Sequence, residues 1–158
     1  MRQLNEEQDL EYVGFWPRVG ASIIDTILLS AIIGALMAMA YGGQYDTPQA
    51  IIKGPTYFLI NWVFPAIAVI TFWSTLQATP GKMIISAKIT DATTGQPPSI
   101  GQNIGRYIGY AVSMIPFLLG LIWVAFDRRK QGWHDKLANT VVVRPKRSSA
   151  DPVNFKHH

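Results

Sequence analysis

Residues 14–41 read GFWPRVGASIIDTILLSAIIGALMAMAY, and a single charged side chain, Asp25, interrupts the 23-residue apolar run from 19 to 41. At about 1.5 Å per residue a helix of that length reaches across a hydrocarbon core of ~30 Å. A carboxylate at that depth costs roughly 2.5–3.5 kcal/mol on insertion scales, so a chain that carries one uses it or pairs it. Arg18 stands two helical turns earlier, at the mouth of the run. On a 3.6-residue helix Arg18 and Asp25 fall within about 20° of each other around the axis and roughly 10 Å apart along it. Ser22 lies between them, so Arg18, Ser22 and Asp25 form one polar stripe, a path for a cation or proton. Pro17 suits the first helical position, where its missing N–H needs no partner. Ala31, Gly34, Ala35 and Ala38 give small-xxx-small spacings that admit a second helix closely, from within the chain or from a homo-oligomer.

Outward from this stretch, the run 57–76 carries no charge and places Trp62 and Trp73 near its two ends, where amphipathic rings favour the interface. A third run, 107–126, is also uncharged. Burying all three in the core of a soluble 158-residue protein is hard, and the mean hydropathy of +0.16 is modest only because polar ends and a polar loop dilute them. The expectation is one all-α membrane domain over 1–158: a polar N-terminus (1–17), spans at 19–41 and 57–76, a loop (77–106), a third hydrophobic segment (107–126) and a basic tail (127–158). Residues 1–11 lack a basic start and precede a run too long for a cleaved leader, so the first span reads as an uncleaved anchor. Cysteine is absent, which excludes disulfides and thiol nucleophiles.

Lysines and arginines set the orientation. One lies in 42–56 (Lys53), three in 77–106 (Lys82, Lys88, Arg106) and eight after Phe126, so the loop and the tail read as cytoplasmic, with both ends inside. The third segment is then either a re-entrant hairpin broken near Pro116 and Gly120, or a plain third span with an exported tail. Residues 82–90 (KMIISAKIT) and 140–143 (TVVV) are strand candidates for a small cytoplasmic β element.

Residues 127–140 (DRRKQGWHDKLANT) form a second charged cluster. Asp127 and Asp135 are candidates to complete a site with Arg18 at the cytoplasmic mouth, while Arg128, Arg129 and Lys130 read as lipid-facing, worth about 1 kcal/mol per cation against anionic headgroups. Asp25 has two readings: an ion or proton site, or a structural staple paired to Arg18 or to a basic residue of the C-terminal segment.

The run Gly14-Phe15-Trp16-Pro17-Arg18, Asp25 within the first span, the Gly81-Lys82 step and the closing DRRKQGWHDKLA at 127–138 resemble the RDD family of small bacterial membrane proteins, named for one arginine and two aspartates. The resemblance runs from Gly14 to Val143, with Pro17 and Pro80 as departures from the common pattern. It implies that Arg18 is the family arginine, Asp25 the first aspartate and Asp135, with Asp127 as the alternative, the second. It also implies transport, including sodium–proton exchange as proposed for a member.

Other chemistry has little footing. Gly81-Lys82 is no phosphate loop, because Leu76 stands where the earlier glycine belongs and Met83 where Ser or Thr belongs. No metal-ligand spacing, cofactor motif, enzyme constellation or folded nucleic-acid reader is present in the sequence. Two functions remain: proton-coupled exchange of Na⁺ or K⁺ through Asp25, tuned by Arg18 and Asp135 in a homo-oligomer, or a non-enzymatic membrane adaptor or assembly subunit in which Arg18 and Asp25 are structural.

Overall fold

In the computed structural model, which describes residues 10–42, 54–115 and 118–146, the first apolar stretch is one helix, α1 (Phe15–Tyr41), capped by Gly14. Pro17 is its third residue rather than its first, still inside the turn whose N–H groups have no intrahelical acceptor. Gly42 stops α1 in the left-handed region (φ 60°) and returns its N–H to the Ala38 carbonyl, a turn that a residue without Cβ adopts at no steric cost. The second stretch starts on a proline with α2 (Pro55–Phe58), widens into a π turn over Leu59–Val63 and continues as α3 (Phe64–Leu76). Pro65 explains the widening, since it has no N–H for the carbonyl one turn back and its ring crowds that turn. Asn61 inside the π turn donates to the Tyr57 carbonyl (3.1 Å) and to Met37 Sδ (3.4 Å), which ties the stretch to α1.

Residues 82–90 depart from the expected strand. A short helix, α4 (Pro80–Ile84), begins on Pro80, and only Lys88–Asp91 is a strand, β2. Proline in the first turn suits a helix and supplies no ladder donor, and the β-branched run drew attention away from it. A Ser99/Gln102 capping box then opens α5 (Ile100–Met114), which starts seven residues before the expected third segment. α6 (Leu119–Ile122) and a 3₁₀ turn (Trp123–Ala125) follow, and this arm meets α5 at 115° across a break over 115–118. Pro116 lies outside the described residues. Gly120 sits against Ser113, where a Cβ would come within 2.7 Å of the serine Cβ, so the arm folds back closely on α5.

The chain closes with α7 (Trp133–Leu137) and β3 (Thr140–Pro145). β3 pairs antiparallel with β2, Ile89 opposite Val142, as the composition of the two segments predicts. Its other edge carries a strand that was not expected, β1 (Leu10–Tyr12), with Glu11 opposite Arg144 and ion-paired to it. The order β1-β3-β2 therefore gathers the N-terminal segment, the loop and the C-terminal segment into one sheet, packed through Val13, Ile89 and Val142 against Ala87 and Trp73.

Phe15–Tyr41 and Pro55–Ile84 are long and apolar enough to cross a membrane, and the bent pair α5 and α6 is a third candidate. α5 is built opposite to a helix of a water-soluble protein. Asn103, Arg106, Gly109 and Ser113 are its buried residues, while Ile100, Ile104, Ile108 and Val112 line its exposed side. Such inversion suits a helix whose outer neighbour is hydrocarbon and whose polar groups must find partners inside the protein.

Candidate functional site

The central group is the guanidinium of Arg18. Its Nε donates to the Val13 carbonyl (2.9 Å), Nη2 to the Lys130 carbonyl (2.6 Å) and Nη1 to Asp135 Oδ2 (2.6 Å). Lys130 turns its carbonyl inward by adopting a left-handed backbone (φ 51°). Asp135, in the first turn of α7, also accepts from the Gly132 N–H (3.1 Å), so one carboxylate caps a helix and holds an arginine 117 residues away in sequence.

A second arginine meets the same carboxylate. Arg106 Nη2 lies 2.7 Å from Asp135 Oδ1, and both side chains are wholly buried. The contact is an ion pair without a hydrogen bond's alignment, and Arg106 Nε and Nη1 also find no acceptor. What Arg106 has besides is the face of Trp73, 5.1 Å from its guanidinium carbon to the ring centre, a cation–π geometry. Trp73, expected at an interface, is thus buried; Tyr110 stacks on it at 5.9 Å and His134 stacks on Tyr110 at 4.0 Å.

Burial alone would raise the Asp135 carboxyl, but Arg106 and Arg18 outweigh it and hold the group well below the ordinary carboxylate range. Burial and then the cations Arg106, Arg18 and Lys82 push His134 down to about 3 against the pull of Asp135, so the imidazole is neutral at pH 7. His134 Nε2 lies 3.5 Å from Asp135 Oδ1, and its ring is enclosed, 3% exposed and stacked on Tyr110.

Asp25 belongs to a different junction. It accepts from Thr79 Oγ1 (2.5 Å) and from the Gly81 N–H (2.7 Å), so its carboxylate caps α4 from α1. The approach is so close that a Cβ on Gly81 would stand 2.1 Å from the Ala21 carbonyl oxygen. Neither partner foreseen for a staple, Arg18 or a basic C-terminal residue, bonds Asp25 among the described residues: α4 arrives first, and Arg18 is drawn to Asp135.

The other candidates are placed as follows. Ser22 is exposed on α1, and its carbonyl accepts from Thr26 Oγ1 (2.8 Å). Asp127 organises its own turn through the Arg129 and Gln131 N–H groups and an ion pair with Lys136 (2.5 Å). Burial opposes its ionisation, but Lys136 and these bonds prevail and lower its pKa. Arg128 is exposed. Arg129, expected to face lipid, is half-buried and donates to the Ala92 carbonyl (2.6 Å) and Tyr12 Oη (3.2 Å), which pins β1 to the end of β2. Lys130 Nζ reaches the Ala125 carbonyl (3.2 Å). In the sequence Arg106 stands only as a topology signal, and Lys82 as a topology signal and part of the Gly81-Lys82 step; the 103–106–109–113 spacing of polar and small residues is the available sign that Arg106 faces inward. Among the described residues no group of acidic or histidine side chains could hold a metal ion.

The model of the RDD family matches residues 12–139. The uncharacterized protein YxaI of Bacillus subtilis is 32% identical over 146 residues, covering 82% of this chain and 95% of that protein. The uncharacterized protein RP437 of Rickettsia prowazekii is 39% identical over 75 residues, 48% of this chain and 41% of that one. The proline-rich antigen homolog of Mycobacterium tuberculosis is 26% identical over 110 residues, 63% of this chain and 45% of that one, so against the latter two the match spans less than half of the relative. No solved structure matches. With the family match running over residues 12–139, the chain belongs to the RDD family and is a membrane protein with apolar helices.

Proposed function

We propose that this protein is a non-enzymatic anchor and assembly module of the bacterial inner membrane, in which Arg18, Asp25 and Asp135 lock the helices to a small platform at the cytoplasmic face. The observation that carries the reading is the engagement of Asp25: each of its oxygens already accepts a short hydrogen bond, from Thr79 and from Gly81. A cation would have to share a carboxylate whose two oxygens each already hold a hydrogen bond of the helix cap, with one lone-pair site left on each. The span of this unit in longer relatives, 45% of the mycobacterial homolog, is in keeping with an anchor attached to other sequence.

The sheet supports a two-span topology with both ends inside. β2 precedes the third hydrophobic segment and β3 follows it, yet the two are paired. A segment whose flanking strands share one sheet leaves and re-enters by the same face, and the fold-back at Gly120 suits a re-entrant hairpin. A single cysteine at Ser148 of this cysteine-free chain should react with an impermeant maleimide only after permeabilisation; labelling in intact cells would refute the arrangement.

The proton-coupled exchange of Na⁺ or K⁺ implied by the family resemblance has one specific support, that Asp25 is only half-buried. The variant Asp25→Asn in liposomes with a pH-reporting dye separates the two. Anchoring predicts equal, background-level cation-driven proton flux from parent and variant, with the variant less stable by roughly 1.5–3 kcal/mol, the worth of a hydrogen bond to a charged group. Parent flux that vanishes in a variant of unchanged stability establishes exchange instead.

A further inference from the structure

Lys82 has no carboxylate partner among the described residues. It is 4% exposed, and the hydrogen-bond partner of its Nζ there is Thr79 Oγ1 at 3.4 Å, a hydroxyl that already donates to Asp25. No carboxylate lies within ion-pair distance of it among the described residues. An unpaired buried cation is expensive, and an anion brought up to it offsets that cost. Lys82 and Arg18 line a cavity of about 340 Å³ against the first half of α1. The rest of its wall is mainly apolar, with Val19, Ile23 and Ile27 on one side and Leu121 and Val124 on the other. Ile23 and Ile27 are 55% and 63% exposed, so the apolar wall continues onto the outer surface of the membrane helix.

We propose that this cavity binds one anionic phospholipid per protomer, its phosphate on Lys82 beside Arg18 and an acyl chain along Val19, Ile23 and Ile27. The shape requires both halves of such a molecule: a strong acid for the ammonium, and a chain that remains in hydrocarbon while the head is drawn in. The site is separate from Arg128, which is exposed on the turn after the 3₁₀ segment and offers charge without an apolar wall.

The test uses the full chain reconstituted in equimolar phosphatidylglycerol and phosphatidylcholine, extracted in mild detergent and weighed by native mass spectrometry. The expected result is one phosphatidylglycerol retained per protomer in preference to phosphatidylcholine, with occupancy lowered roughly tenfold in Lys82→Gln, the effect of one charge-assisted hydrogen bond, and unchanged in Arg128→Gln. Thr26→Trp, which fills the cavity from an exposed position on α1, should lower retention as well and answers the question if Lys82→Gln does not fold. Equal retention of the two lipids, or undiminished retention in folded Thr26→Trp, overturns the proposal. Displacement of the lipid by millimolar inorganic phosphate overturns it in favour of a site for a free anion.

Discussion

Replacing Asp135 with asparagine removes the one carboxylate that stands against both Arg18 and Arg106. Arg18 keeps the Val13 and Lys130 carbonyls, whereas wholly buried Arg106 keeps only the face of Trp73. Removing one partner of a buried ion pair costs about 3–5 kcal/mol, because the other charge stays behind without compensation. The asparagine oxygen still caps Gly132, so no separate loss is added for the helix. At roughly 2–4 °C per kcal/mol for a chain of this size, the melting temperature should fall by about 6–20 °C. The assay is thermal unfolding in detergent followed by tryptophan fluorescence, with Asp127→Asn as control; its Lys136 partner is 44% exposed, and the expected loss is under about 1 kcal/mol. A second variant tests the cause. Adding Arg106→Met to Asp135→Asn removes the stranded cation, so the double variant should be more stable than Asp135→Asn alone, a coupling that a double-mutant cycle reads directly. A melting temperature within about 2 °C of the parent for Asp135→Asn, or further loss on adding Arg106→Met, refutes the account of Asp135 as shared counter-ion.

Gly81→Ala puts a methyl 2.1 Å from the backbone oxygen of Ala21, which cannot rotate away, so destabilisation at or above the ~1–3 kcal/mol of overpacking is expected. Gly34→Ala, with nothing within 4 Å, should be neutral or slightly stabilising on the same melting assay. His134 titrates near 6.5 when unfolded and at about 3 when folded, so the unfolded chain binds more protons between those values and stability falls as pH drops through that window. The decline should approach roughly 1.4 kcal/mol per pH unit and should largely disappear in His134→Phe, read as melting temperature against pH. Asp135 acts lower: its folded pKa is depressed, so its contribution is complete above about pH 4, its unfolded range, and is lost only as acid reaches the folded value.

Much of the frame was legible because hydrocarbon writes it in long uniform runs. α1 lies almost where the apolar stretch around Asp25 placed it, and Arg18, Asp25 and Asp135 stood out as charges that such a setting does not tolerate alone. Their pairing was not legible. Helical periodicity relates Arg18 to Asp25 along one axis, but the partner of Arg18 comes from α7, and nothing in local spacing reports a contact across more than a hundred residues. β1 escaped for the same reason: three residues in a polar N-terminal segment are a strand only because β3 is there to pair with them. Gly81-Lys82 stood out only as a family step and Pro80 only as a departure from the family pattern, whereas the three together open the short helix that Asp25 holds. Arg106 was hidden because it stands one residue before the uncharged run 107–126 and reads as the end of the loop, whereas α5 begins at Ile100 and carries it inside.

The middle strand of the sheet is the last of the described elements to be made. Synthesis runs from the N-terminus at roughly 5–20 residues per second, so β1, both long helices and β2 leave the ribosome before β3 exists to join them. Arg18 likewise waits for Asp135, 117 residues later, and Arg106 waits with it. A chain cut short before Asp135 therefore displays two arginines without their carboxylate, two unpaired strand edges and no closing partner for either. Arrival of α7 and β3 is what ties the inserted helices to the sheet, through Asp135 to the two arginines and through β3 to both strand edges.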